Sequence, residues 1–183
     1  MLSIDVSWRS FVEKGDEPSF AIIYNYHVDD LYSYGVSLGF QKEMCKDAIQ
    51  DTFYKLYISG NNLLHVKNIT AYIFKSFKHR LIDLYRKRIR EENLESAIDS
   101  FAVQVTVLDN IIDTENAEII KKQVALLLNG LTDNQREVVY LKYVIGLDYK
   151  NIAYILDIQE DSARKSLYRT VKKLRQQISE EVF

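Results

Sequence analysis

Apolar residues along the chain recur mostly at steps of three and four, the spacing of a helix face rather than of a strand. Trp8 and Phe11 belong to a short amphipathic segment that ends at the turn Gly15-Asp16-Glu17-Pro18. Pro18 suits the first turn of the next helix, with Asp16 or Glu17 beside its positive N-terminal end. A Tyr-rich helix is predicted from Ser19 to Leu38, with Phe20, Ile23, Tyr24, Leu31, Tyr34 and Leu38 as its core. After Gly39, Lys42 to Ile58 predicts another, turning Met44, Ala48, Phe53, Leu56 and Tyr57 inward and leaving Asp47, Gln50, Asp51 and Lys55 on more exposed faces. Gly60-Asn61-Asn62 reads as a turn, and Asn68 as the cap of a helix from about Ile69 to Arg90. Residues 93–114 have no clean stripe and read as a linker, although Phe101, Val103, Val105, Leu108 and Ile111 suggest that part of it is buried. From Glu115 a helix carrying Ile119, Ile120, Val124, Leu127 and Leu128 ends at Gly130, and Thr132 with Gln135 forms a capping box for the next.

The most informative pattern lies at residues 148–178. Asp148 is an N-cap, and Ile152, Ile155 and Leu156 line one side of a helix of about two turns. Leu156-Asp157-Ile158 is too short for anything but a turn. Ala163, Leu167, Val171, Leu174 and Ile178 then form a continuous stripe on a longer helix. A short helix, a tight turn and a longer helix make a helix-turn-helix, whose second helix can enter the major groove. The whole is an all-α protein of two small helical domains, residues 1–92 and 115–183, the second a four-helix domain built on the helix-turn-helix.

Composition agrees with long helices, since there is one proline and six glycines in 183 residues. Cys45 has no second cysteine to pair with and reads as a small buried hydrophobe. No signal peptide or apolar membrane span is evident, so a reducing cytoplasm is expected. The net charge of −2 conceals segregation. Residues 78–90 carry six Lys or Arg against Asp83 alone, residues 91–120 carry eight acids and no base, and residues 160–175 carry six bases against Glu160 and Asp161. Those two acids occupy a first helical turn, where the dipole favours them, so the body of that helix is purely cationic. A solvated helix more often interleaves its charges, whereas phosphate binding asks for one sign.

The helix at 69–90 mixes Tyr72, Phe74, Phe77 and Tyr85 with Lys75, Lys78, His79, Arg80, Arg86, Lys87 and Arg88. Ile73, Phe77, Ile82 and Tyr85 read as core with the long basic side chains reaching past them. The alternation of aromatics and cations suits opened single-stranded DNA, whose bases stack and whose phosphates pair with cations. Catalysis finds no support: His27, His65 and His79 lack metal-ligand spacing, and there is no phosphate loop or nucleophile elbow. No cofactor, metal or small-molecule substrate is expected.

Leu131, Gln135-Arg136-Glu137-Val138, Gly146-Leu147, Tyr149, Ile152-Ala153, Ile155-Leu156, Ile158, Leu167, Arg169 and Lys173-Leu174-Arg175 share their joint spacing with a known family. They resemble the promoter-reading domain of bacterial RNA polymerase sigma factors of the extracytoplasmic-function (ECF) group. Asp157 stands where that family usually has a turn glycine, and Asp tolerates the left-handed conformation better than most residues. DAIQDTFYKLY followed by AYIFKSFKHRLIDLYRKR is similar to the domain that binds polymerase and melts the minus-ten element. The resemblance implies a polymerase-binding set of Asp47, Gln50, Asp51, Phe53 and Leu56. It implies a minus-ten set of Tyr72, Lys75, Lys78, His79, Arg80, Asp83, Arg86, Lys87 and Arg88. For the minus-thirty-five element it implies Ser162, Arg164, Lys165, Tyr168, Arg169 and Lys172, with Arg164 and Lys165 expected to read bases and Arg169 and Lys172 to grip the backbone. Implied partners are RNA polymerase core (the clamp of the largest subunit and the flap of the second largest), promoter DNA and an anti-sigma factor. A stand-alone helix-turn-helix regulator is the alternative, and a recombinase with an appended helix-turn-helix is a third reading, for which the sequence shows no Ser, Tyr or metal constellation.

Overall fold

The computed structural model describes residues 4–91, 127, 128 and 130–181; the expected linker and the start of the helix from Glu115 lie outside them. Among the described residues every regular element is helical: α1 (Ile4–Lys14), α2 (Glu17–Ser37), α3 (Lys42–Ser59), a 3₁₀ turn (Gly60–Leu63), α4 (Ile69–Glu91), α5 (Asp133–Tyr143), α6 (Tyr149–Leu156) and α7 (Glu160–Glu181). They fall into two units, α1–α4 and α5–α7.

In the first unit, local chemistry sets the helix starts. Asp16 accepts from the Ser19 backbone N–H and the Ser10 hydroxyl, each at 3.2 Å, and so joins the end of α1 to the start of α2. Its carboxyl is held below the usual range by the Ser19 hydrogen bond above all. Asn68 accepts from the Ala71 N–H at 2.8 Å and caps α4 as its sequence implies. The core is aromatic. Phe11 meets Phe20 with ring centroids 4.9 Å apart, Tyr24 meets Phe53 at 4.8 Å, and Tyr34 meets Phe74 at 5.3 Å.

Gly35 lies where α2 comes close to both α3 and α4, because a Cβ there would lie 2.7 Å from Cys45 Sγ on α3 and 2.9 Å from Phe77 Cζ on α4. Cys45 is fully buried, and burial pushes its thiol up to about 11. Two expected core residues differ: Tyr24 and Tyr57 stay partly exposed while their rings pack, and the Tyr57 hydroxyl donates to Glu17 at 3.3 Å. His27, set aside in the sequence, is fully buried between α2 and α4.

In the second unit, Thr132 and Gln135 form the reciprocal capping box and Asp148 accepts from the Asn151 N–H at 2.7 Å. Asp157 takes the left-handed conformation, φ 53° and ψ 43°, and ends α6. Ile158 N–H then bonds back to Ala153 O at 3.0 Å, which fixes the direction in which α7 leaves. Ile152 and Ile155 of α6 are buried with Leu141 of α5 and Ala163 and Leu167 of α7. The stripe on α7 departs from expectation at two places. Thr170 is buried, its hydroxyl satisfied by Ser166 O at 2.8 Å, whereas Ile178 is 47% exposed.

Candidate polymerase and nucleic-acid interfaces

Three surfaces carry the candidate residues, two in the first unit and one in the second. On α3, Asp47 and Gln50 are exposed and Asp51 half-buried, all on the face away from Cys45 and Ala48. Phe53 and Leu56 do not join them. They are 3% and 2% exposed, and their apolar surface packs against the unit's own core.

On α4, Ile69, Ile73, Phe74, Phe77 and Leu81 face inward. Phe74 is fully buried against Tyr34, so no base can stack on it. Tyr72, Lys75, Lys78 and Arg80 are half-buried, and His79, Asp83, Arg86, Lys87 and Arg88 are exposed. Tyr72, Ser76, His79 and Asp83 line a cleft of about 620 Å³ shared with Tyr54 and Lys55 of α3. At its wall the Arg80 Nε and Nη2 groups both donate to Asp51 Oδ2 at 2.7 Å. An expected polymerase contact and an expected DNA contact are thus tied to each other. Their separation in the chain hid the pair, since only the α3–α4 packing brings them together.

On α7, a rotation of about 100° per residue turns Lys165 and Lys172 opposite the buried Ala163, Leu167 and Thr170, with Ser162, Tyr168 and Arg169 beside them. All five are exposed, and Tyr168 is the most exposed large aromatic of the described residues, at 71%. Lys165, Arg169 and Lys172 form no ion pair among the described residues, so their charges remain available to an anion. Arg164 is placed otherwise. It donates to Glu160 at 2.9 Å, and its guanidinium lies 4.9 Å from the Tyr149 ring centroid, at the first residue of α6. Lys142 of α5 approaches the same ring at 5.1 Å and donates to Leu147 O at 3.1 Å. Among the described residues no cluster of His, Cys, Asp or Glu could hold a metal, and no helix is long and apolar enough to cross a membrane.

A helix-turn-helix whose second helix offers an unopposed cationic face defines a DNA-binding protein. The family profile described as "Sigma-70, region 4" matches residues 121–174. The chain is 27% identical over 153 residues to the ECF RNA polymerase sigma factor SigM of Bacillus subtilis (strain 168), covering 84% of this chain and 91% of that protein. It is 22% identical over 177 residues to SigW of the same strain, covering 91% and 92%. Among solved structures, the fold is similar to CnrH in complex with the cytosolic domain of CnrY (TM-score 0.63, 19% identity, 97% of this chain and 98% of that chain). It is also similar to the sigma factor RpoE of Bartonella quintana in complex with the anti-sigma factor NepR (TM-score 0.62, 19% identity, 87% and 96%). The chain is thus similar in sequence to ECF RNA polymerase sigma factors over most of its length, and in its C-terminal part to region 4 of the sigma-70 family.

Proposed function

We propose that this protein is a transcription initiation factor that binds RNA polymerase core, directs it to specific promoters and helps to open them. The observation that carries this reading is the reach of the similarity to SigM, an RNA polymerase sigma factor, across 84% of the chain and so into both helical units. In this reading residues 1–92 bind polymerase and the minus-ten element, 93–114 link, and 115–183 read the minus-thirty-five element. Asp47, Gln50 and Asp51 form the polymerase-facing patch. Tyr72, His79, Asp83 and the α4 cations meet opened DNA, while Ser162, Lys165, Tyr168, Arg169 and Lys172 meet the upstream duplex. The protein acts in the cytoplasm, without a cofactor or a reaction of its own. The complex of RpoE with NepR supports an anti-sigma factor as a further partner.

Size-exclusion chromatography with core polymerase tests the reading. Asp51 is a poor lone probe, because its replacement also releases Arg80. Asp47 and Gln50 are exposed and carry no such tie. The parent should co-elute with core, and Asp47→Arg with Gln50→Arg should abolish co-elution, with circular dichroism unchanged because exposed substitutions shift stability by only about 0.5 kcal/mol. Absence of any association with core, together with tight sequence-specific binding of duplex DNA by the isolated protein, would overturn the proposal in favour of a stand-alone regulator.

A further inference from the structure

The Arg164 guanidinium has two neighbours that a base-reading side chain does not need, and the second of them holds another cation as well. Glu160 one turn earlier holds it at 2.9 Å, the Tyr149 ring of α6 lies under it at 4.9 Å, and Lys142 of α5 approaches that same ring at 5.1 Å. The ring is therefore a junction of α5, α6 and α7. Its position matters because Tyr149 directly follows Asp148, the residue that caps α6. A cation over an aromatic face is attracted by the ring quadrupole, and the planar guanidinium can stack while it still donates to a carboxylate. On α7, Arg164 lies about 100° from Ala163, on the flank that meets α6, whereas Lys165 lies about 200° away and faces outward.

We infer that Arg164 is a positioning residue. Through Glu160 and Tyr149 it sets how α6 sits against the start of α7, and it leaves base reading to the outward face that carries Lys165, Tyr168 and Arg169. This rests on the promoter-reading role proposed above. It makes a three-way distinction that can be measured. A base reader, when removed, changes which bases are preferred. A phosphate grip, when removed, weakens all sites and lowers the salt slope by about 0.9. A latch, when removed, weakens all sites alike with preferences and salt slope unchanged, and its loss is coupled to the loss of its aromatic partner.

The test uses holoenzyme assembled from the full chain and core polymerase, binding a promoter pool randomised in the upstream element, at a temperature where circular dichroism shows every variant folded. Arg164→Ala should lower affinity about two- to ten-fold on every sequence, in the same rank order and with an unchanged salt slope. Tyr149→Leu should do the same, and the double variant should bind no more weakly than the poorer single one. Arg164→Lys, which returns a cation to the ring without the planar fork, should recover part of the loss. A changed base preference, a lowered salt slope, additive losses or unchanged binding in Arg164→Ala would each overturn the assignment. Lys165→Ala and Lys172→Ala serve as the control for the underlying reading. If both leave preference and salt slope untouched, the promoter-reading role itself fails, whatever Arg164 does.

Discussion

Replacing Gly35 by alanine should destabilise the first unit, although alanine is the better helix former. Gly35 lies inside α2, where the change alone favours folding by about 0.5–1 kcal/mol. Against it stands the Cβ contact of 2.7 Å with Cys45 Sγ and 2.9 Å with Phe77 Cζ, distances that real Cβ atoms essentially never show. Neither neighbour can swing aside into water, because Cys45 and Phe77 are both fully buried, and relief requires α2 to move away from α3 and α4. Overpacking of this kind costs about 1–3 kcal/mol, so the net expectation is a loss of about 0.5–2 kcal/mol. The chain's single tryptophan, Trp8, is buried in α1 of this unit, so its fluorescence in a urea titration reports the unit directly. Cys45→Ala removes the nearer obstacle, and the double variant Gly35→Ala with Cys45→Ala should be more stable than the sum of the single effects predicts. Stability of Gly35→Ala at or above the parent, or strict additivity in the double variant, would refute this account of how the three helices meet.

Other tests bear on single groups. The His27 ring bonds Ile23 O through Nδ1–H at 2.8 Å and accepts from the Thr70 hydroxyl at Nε2, 3.0 Å away, and burial lowers its pKa below 6.5. The unfolded chain therefore binds the extra proton first. The stabilising contribution is full above pH 6.5 and falls below it by up to about 1.4 kcal/mol per pH unit until the folded-state pKa is passed. Urea midpoints followed at Trp8 should fall over that window in the parent and fall less in His27→Gln. Cys45, buried with its thiol pushed up to about 11, should resist a disulfide reagent at pH 8 in the folded protein and react at once in urea; rapid native labelling would contradict its placement. Asp148→Ala removes the cap of α6 and should cost about 1 kcal/mol in thermal unfolding by circular dichroism, whereas Asp148→Asn should cost little.

The sequence carried what depends on neighbours a few residues apart. The Thr132–Gln135 box, the Asp148 and Asn68 caps and the left-handed turn at Asp157 all follow from side chains that bond or tolerate the backbone beside them. Helical period likewise gave Ile73 and Phe77 of α4, Ile152 and Ile155 of α6, and Ala163 and Leu167 of α7 as inward-facing. Period reveals a stripe but not the extent of its covering, which is why Ile178 was expected inside and Thr170 was not. Aromatic residues were ambiguous for a related reason: Phe74 packs inward while Tyr24, Tyr54 and Tyr57 keep an edge in water, and composition cannot separate the two. Pairs made by packing left no local trace. His27 with Thr70, Asp51 with Arg80 and Arg164 with Tyr149 join residues on different helices, and they revise the candidate sites most.

Run-off transcription tests the central claim most directly. Core polymerase, the purified chain and a pool of templates with randomised upstream and minus-ten elements should together give transcripts of defined start, drawn from a narrow set of promoter sequences. Core alone or the chain alone should give none. Transcript levels no higher than those of core alone across the entire pool would contradict the assignment of this protein as a promoter-specifying factor.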